Sequence, residues 1–211
     1  NIVHFVILEI KDGKNRNKKK IKKRNKKKNM KNKFVNLHCH STYSFIDGYG
    51  TPKQYFDQAE KLGQSALAIT DHGNVSGHYK WYKEGIKRGI KPILGCEMYI
   101  VENLESKTKR EYNHITVIAL NNTGYKNLLK LVTDSWLKGF YYKPRTDWRE
   151  LSLHKEGLLF TSGCVSSALG ELVKNNASIE SIKELLDRQN KLLGPNFYAE
   201  VTPLVFPLGK K

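Results

Sequence analysis

Short apolar runs alternate with amphipathic stretches from residue 34 onward, and this alternation is the strongest constraint on the fold. The runs of strand length are 34–37, 66–70, 92–101, 115–120, 157–161 and 197–201. The stretches with apolar residues at helical spacing are 51–62, 74–89, 122–137 and 179–193. Because strands and helices take turns, the pattern predicts an α/β fold built of β/α units.

Most of the net charge of +17 lies at one end of the chain. Residues 1–33 carry 14 of the 37 Lys and Arg residues, against Glu9 and Asp12. Such a segment repels itself and buries little, so we expect residues 1–33 to be a disordered tail. An arm for nucleic acid is one interpretation. We favour a segment without function, because Lys, Asn and Ile are also what A- and T-rich DNA encodes and because Met30 stands just before the regular pattern.

The remaining chain is expected to form one domain over 34–201, followed by an irregular end at 202–211. No apolar run reaches the 18 residues typical of a membrane span, and no signal-peptide pattern is visible. Three cysteines do not suggest a disulfide framework. We therefore expect a cytoplasmic location and no membrane partner.

The first apolar run leads into His38 and His40. Side chains two residues apart on a strand share a face, so both imidazoles are expected to point the same way. Asp47 stands before Gly48, where a turn can bring its carboxylate back toward the strand end. Imidazole and carboxylate groups at this spacing indicate a metal site. The alternative for a bare H-x-H pattern is a pair of structural histidines satisfied by hydrogen bonds.

Three more residues extend this candidate site. Asp71 and His72 directly follow the run at 66–70, and barrel active sites are built from polar residues at the C-terminal ends of parallel strands. His72 is therefore a predicted ligand, whereas Asp71 could instead cap the next helix. Glu97 lies inside an otherwise apolar strand, where a carboxylate is costly unless it is paired or bound to a metal.

The pattern alone leaves Cys164 and His114 open. Cys164 stands where a strand meets a turn, but a free cysteine often packs as a small apolar residue. His114 begins its strand instead of ending it, so the strand-end argument does not select it. The residues expected to have no role in the site are Cys39, Cys96, His4, His78 and His154.

Taken in order, the motifs resemble one known family. They are H-x-H at 38–40, D-G at 47–48, TDHGN at 70–74, GCEMY at 95–99, HITVIA at 114–119, GFYYKPR at 139–145 and SGC at 162–164. This order resembles the PHP (polymerase and histidinol phosphatase) domain at the N-terminus of bacterial DNA polymerase III alpha subunits, over about 34–201. TDHGN, GFYYKPR and SGC together favour the polymerase branch over stand-alone PHP phosphatases.

The resemblance implies a PHP-type distorted β/α barrel with metals at one mouth. The implied ligands are His38, His40, Asp47, His72, Glu97, His114 and Cys164. Such a mixed set suits divalent zinc, manganese or iron, with up to three ions in a complete site. The family also has an Asp-x-His element beyond the strand at 197–201, which this sequence lacks. We therefore expect a truncated fragment, incomplete at its C-terminus, that binds metal but hydrolyses weakly.

The resemblance also implies a role for the parent protein, a DNA-directed DNA polymerase acting in DNA replication. Its implied partners are DNA, a sliding clamp and a separate proofreading subunit. The polymerising palm carboxylates are absent here, so the hydrolytic role implied for this chain is 3′–5′ exonuclease proofreading or pyrophosphate removal. One alternative is a stand-alone metal-dependent phosphatase for a small phosphomonoester. Another is a scaffold whose metals serve only stability.

Three residues are candidates for catalytic support. Asp71 is expected to orient His72 or another ligand through a hydrogen bond. Lys143 and Arg145, within GFYYKPR, are expected to contact a phosphate. A plain surface loop is the alternative for both of these basic residues.

Overall fold

The computed structural model describes residues 6–8, 34–45, 47–107 and 112–201. The strands are β1 (Val6–Leu8), β2 (Ala66–Ile69), β3 (Lys91–Val101), β4 (Asn113–Ala119), β5 (Arg145–Asp147), β6 (Leu158–Thr161) and β7 (Phe197–Val201). The helices are α1 (Pro52–Lys61), α2 (His78–Arg88), α3 (Asn122–Leu137), α4 (Trp148–Leu153), α5 (Ala168–Lys174) and α6 (Ile179–Leu193). The predicted α/β class is confirmed. Of the described helices, none has both the length and the apolar character needed to cross a bilayer.

The sheet follows the order β1-β7-β6-β4-β3-β2, and β5 pairs with β3 off this path. The pairs β2/β3 and β6/β7 are parallel. Strands β3 and β6 share a direction because both are antiparallel to β4, so β2, β3, β6 and β7 all run the same way. Strand β4 lies between β3 and β6 and is antiparallel to both. Its first residue therefore lies at the edge of the sheet where β3 and β6 end.

The sheet curls so that its two sides approach each other. On one side, Asn36 forms a single parallel bridge with Leu67 of β2. On the other side, Glu200 lies on β7, and its Oε1 is 2.8 Å from Nδ1 of His38. The segment that contains His38 is therefore bridged to β2 and also bonds β7 near the opposite edge of the sheet. Such curling gives an open, half-barrel sheet.

Helices cover the outer face of this sheet and form two apolar clusters. The larger cluster packs α3, α4 and α6 on β3, β4 and β6, and includes the fully buried Phe160. The smaller cluster packs α1 and α2 on β2, where Phe56 meets the ring of Trp81 edge-on at 5.0 Å. Burying each of these large side chains stabilises the fold by about 1.5–3 kcal/mol. Helices thus pack on the outer face of the half-barrel, while its concave side carries polar residues such as His38 and Glu97.

Some elements differ from the sequence-based expectations. The first predicted strand, 34–37, makes only the Asn36 bridge. Helix α2 begins at His78 and not at 74, because the Asn74 amide donates to Tyr43 O and its Oδ1 accepts from Ser76 N, which holds a turn. Helices α4 and α5 were not predicted, because both are too short for a clear helical period.

The tail expectation differs over three residues. Val6–Leu8 form β1, antiparallel to β7 in the register Val6 with Val201, so these residues pair with the sheet. The other residues of 1–33, and all of 202–211, lie outside the described part of the chain. The boundaries of a domain at 34–201 stay a prediction.

Candidate metal centre

The predicted ligands come from different strands but reach one edge of the sheet. His38 and His40 follow the Asn36 bridge, and His72 directly follows β2 and bridges to Glu97 of β3. The register pairs Tyr99 of β3 with His114 of β4, which places His114 next to Glu97 along the edge. Because β4 is antiparallel to its neighbours, its start reaches the edge that the other strands reach with their ends. This explains why strand-end reasoning had left His114 open.

Glu97 lies at the centre of the site, and its side chain is fully buried. Each carboxylate oxygen faces a different group of side chains. Oε1 lies 3.3 Å from His38 Nε2, 3.1 Å from His114 Nδ1 and 3.3 Å from Cys164 Sγ. Oε2 lies 2.9 Å from His40 Nε2 and 2.9 Å from His72 Nδ1. One carboxylate therefore joins two halves of the cluster.

Asp47 closes the outer side of the cluster. Its Oδ2 lies 2.9 Å from Nδ1 of His40 and 2.7 Å from Nε2 of His72. The Asp47 side chain is 46% exposed, whereas that of Glu97 is 0% exposed. The site thus has a closed inner end at Glu97 and an open mouth at Asp47. The structure brings all seven predicted ligands together, and their roles as ligands stay a prediction.

Two buried atoms fit a bound cation. Glu97 Oε2 and His72 Nδ1 are both buried and lie 2.9 Å apart, close enough for an ion pair but without the alignment of a hydrogen bond. Leaving such atoms unsatisfied is costly, and a cation between them would satisfy both. Ligand atoms lie within 4.8 Å of one another in three overlapping triads, His38/His40/Glu97, His40/Asp47/His72 and His72/Glu97/His114. The nitrogen and oxygen donors of these triads, with the thiol of Cys164 beside Glu97, suit zinc, manganese or iron.

The cluster is strongly coupled electrostatically. Burial alone would lower the pKa of His38, but the carboxylates of Glu97 and Glu200 outweigh it and raise this pKa to about 10. Burial alone would raise the pKa of Glu97, but the charge of His38 and hydrogen bonds from the histidines hold it well below its ordinary value. The pKa of Asp47 is lowered as well, because His72 and His40 outweigh its desolvation. Without metal, the protonated ring of His38 and the ionised carboxylate of Glu97 attract each other.

Cys164 lies at the inner end of the site. Its Sγ is 3.9 Å from Nδ1 of His114 and donates to Glu97 Oε1. Burial, and then the charge of Glu97, raises the pKa of this thiol to about 12. The thiol is therefore protonated in the metal-free site, and a cation would have to displace that proton to bind the sulfur.

Glu200 also belongs to the site, and the sequence analysis missed it. Its Oε1 bonds His38 Nδ1, and its Oε2 accepts from the hydroxyls of Thr116 and Thr161. The signal was nevertheless present, because Glu200 is an acid inside an apolar strand, as is Glu97. The same argument that selected Glu97 would have selected Glu200.

Asp71 does not contact the imidazole of His72 directly, and its expected role in orienting a ligand stays a prediction. Its buried carboxylate accepts instead from the backbone N–H and hydroxyl of Ser41, at 2.6 and 2.8 Å, and from the Ser44 hydroxyl at 2.9 Å. The Ser44 oxygen in turn accepts from the backbone N–H of His72. Asp71 therefore anchors the loop after His40 and positions the backbone of His72, not its ring.

The contacts of Arg145 favour a structural role over the expected phosphate contact, which stays a prediction. Its side chain is buried, and its guanidinium donates to the backbone oxygens of Gly139, Ser106 and Leu104. All three guanidinium nitrogens are thus occupied by carbonyl groups of two loops. The signal that suggested a phosphate contact was charge alone, which does not distinguish a buried arginine from an exposed one.

Lys143 lies closer to the mouth of the site. Its Nζ is 5.4 Å from the ring centre of Tyr99, and that ring stacks on His72 with 5.8 Å between centres. Pro144, the residue after Lys143, packs closely on Gly73, whose φ is 58°. Only glycine allows this contact, because a Cβ at position 73 would lie 2.6 Å from the ring of Pro144. A phosphate contact by Lys143 stays a prediction.

A surface cavity of about 690 Å³ adjoins the cluster through His114. Its wall combines Tyr112, Ser166 and Glu171 with the apolar Leu172 and Leu185. The ring of Tyr112 stacks on His114 with an interplanar angle of 4°.

Comparisons with known proteins place this site in a family. Residues 36–203 match the PHP domain. A DNA polymerase III subunit alpha from Borreliella burgdorferi is 40% identical over 174 residues, which is 80% of this chain and 15% of that protein. The Treponema pallidum subunit alpha is 39% identical with the same coverage of both proteins. The chain therefore spans about 15% of the length of these curated relatives.

Among solved structures, a two-domain Bacteroides vulgatus protein described as containing a predicted PHP-like metal-dependent phosphoesterase aligns with a TM-score of 0.43 and 19% identity, covering 73% of this chain and 41% of that one. The family match rests on the sequence, since it covers most of the chain from the Asn36 bridge past the end of β7. The chain belongs to the PHP domain family.

Proposed function

We propose that this chain is the PHP domain of a replicative DNA polymerase alpha subunit and that its side-chain cluster is a metal centre for phosphoester hydrolysis. The observation that carries the proposal is the position of Glu97, whose two buried oxygens face five potential ligand groups. The identity of 39–40% to DNA polymerase III alpha subunits supports the replicative setting. Polymerisation itself belongs to the parts of those relatives that this chain does not match.

Divalent cations held by these side chains would activate a water molecule and hold the oxygens of a phosphate. The chain's own residues prepare this site in two ways. Glu97 and His38 fix its closed inner end, and Asp47 leaves its outer end open to solvent and substrate. Asp71 holds the loop between them through the hydroxyls of Ser41 and Ser44.

The substrate we propose is a phosphodiester at a DNA 3′ end, which makes the activity 3′–5′ exonuclease proofreading. The cavity beside His114 provides space for the attached nucleoside, and Lys143 lies near the mouth to meet a neighbouring phosphate. Inorganic pyrophosphate is the second substrate to test. DNA, the sliding clamp and a proofreading subunit are the partners proposed for the whole protein, in the cytoplasm.

The test compares metal binding and hydrolysis in the same preparation. Metal content is measured after loading with zinc, manganese or iron, and the loaded protein is given primer ends, pyrophosphate and a small phosphomonoester. We expect bound metal and chelator-sensitive release of 3′ nucleotides, both lost in Glu97→Gln. Glu184→Gln, an exposed glutamate on α6, is the matched control and should behave as the wild type.

Different outcomes overturn different parts of the proposal. A wild-type chain without bound metal overturns the metal centre. Bound metal without hydrolysis of any of the three substrates overturns the hydrolytic role and leaves a structural metal. Hydrolysis of the phosphomonoester alone overturns the replicative assignment.

A further inference from the structure

Glu200 on β7 is buried and makes hydrogen bonds with both its side chain and its backbone N–H. Its side chain is 2% exposed, and its Oε1 lies 2.8 Å from Nδ1 of His38. Its Oε2 accepts from the hydroxyls of Thr161 and Thr116, and its backbone N–H donates to the Ser162 hydroxyl at 2.9 Å. Glu200 is therefore fixed by His38 at Oε1, by β4 and β6 at Oε2, and by the residue that follows β6 at its backbone.

The contact with His38 determines which nitrogen of that ring faces the cluster. A neutral imidazole carries one N–H donor and one acceptor nitrogen. Because a carboxylate only accepts, Glu200 requires the proton on Nδ1 of His38. Once the ring has lost its second proton, the free electron pair is then on Nε2, which lies 3.3 Å from Glu97 Oε1 and 3.1 Å from His40 Nε2.

We infer that Glu200 is a positioning residue that fixes the tautomer and ring orientation of His38 so that Nε2 binds a divalent cation. This inference rests on the proposed metal centre. Glu200 is not itself in any of the three ligand triads, although His38 is. Carboxylates behind ligating histidines in this way hold the ring in place and increase its basicity.

Two other roles for Glu200 predict different behaviour. If Glu200 only joined the two sides of the curled sheet, its loss would lower the stability of the metal-free protein and leave metal affinity per folded molecule unchanged. If Glu200 bound the cation directly, its loss would weaken binding whether or not His38 is present. The positioning role requires that the effect of Glu200 depends on His38.

The experiment measures zinc affinity by competition with a chromophoric chelator in wild type, Glu200→Ala, Glu200→Gln, His38→Ala and the double variant His38→Ala/Glu200→Ala. Thermal unfolding of each metal-free protein is measured in parallel. We expect Glu200→Ala to lower affinity by about 10–100-fold, the range found for such supporting residues. Glu200→Gln keeps an acceptor oxygen for Nδ1–H and should recover most of that loss.

The double variant is decisive. The effect of Glu200→Ala should disappear when His38 is already alanine, because there is no ring left to position. An equal loss of affinity in both backgrounds would overturn the inference, as would unchanged affinity in Glu200→Ala. If the wild type binds no zinc, the proposed metal centre fails, and the inference that rests on it fails with it.

Discussion

Metal binding to this site is expected to release protons, and the structure indicates how many. The pKa of His38 is raised to about 10 and that of Cys164 to about 12, so both groups carry their protons at neutral pH. The pKa of His72 is raised too, because Glu97 and Asp47 outweigh its desolvation. A cation can bind Nε2 of His38 and Sγ of Cys164 only after both protons have left.

The magnitude follows from the distance between pH and pKa. Removing a proton from a group with a pKa of about 10 at pH 7 costs about 4 kcal/mol, at about 1.4 kcal/mol per pH unit. Because both pKa values are raised, both groups stay protonated over pH 6–9, and apparent affinity rises as pH rises. Two displaced protons increase the apparent affinity by about a hundredfold per pH unit.

The assay is isothermal titration calorimetry with zinc in two buffers that differ in ionisation enthalpy, because the difference in heat gives the number of protons released. We expect at least two protons per ion at pH 7.5 in the wild type. Cys164→Ala should release one fewer, and Glu184→Gln should match the wild type. Release of less than one proton would refute the argument, because the imidazole and thiol would then be neither protonated nor displaced as the structure implies.

Three further predictions concern stability, measured as the free energy of unfolding in urea with chelator present. Asp71→Ala should cost about 3 kcal/mol or more, because it removes three hydrogen bonds to a buried charge at about 1.5–3 kcal/mol each, less the cost of burying that charge. The exposed Asp187→Ala should change little, and a small loss for Asp71 would show that the loop is held by other contacts. Arg145→Lys should cost about 1–3 kcal/mol, since an ammonium cannot reach the three carbonyl oxygens that the guanidinium bonds. Lost hydrolysis at unchanged stability would instead support the phosphate contact expected from the sequence. Deleting residues 1–33 should cost less than about 1 kcal/mol. The reason is that ordering the three residues of β1 costs about 1–2 kcal/mol each, which offsets their hydrogen bonds to β7. A larger loss would place the start of the domain before residue 34.

The sequence could predict those parts of the site that depend on local pattern. His38, His40 and His72 were selected because polar residues follow apolar runs, and Glu97 because a carboxylate interrupts one. These signals depend only on burial and on strand geometry, which short-range sequence carries. The alternation of strands and helices was sufficient for the α/β class for the same reason.

The rest depends on topology, which local pattern does not contain. Selecting His114 from the pattern would have required the knowledge that β4 runs against its neighbours, and only the resemblance to a family indicated this residue. The role of Arg145 required the knowledge that two loops would surround it. Glu200 was a different case, because its signal was visible and was not used.

The bond between His38 and Glu200 joins residues 162 positions apart. At a synthesis rate of about 5–20 residues per second, roughly 8–30 s of translation separate the two residues. During that interval His38 exists in a nascent chain without the carboxylate that accepts from its Nδ1 in the folded domain. The side-chain cluster is therefore completed late in synthesis, because Glu200 reaches His38 only when β7 has joined the sheet.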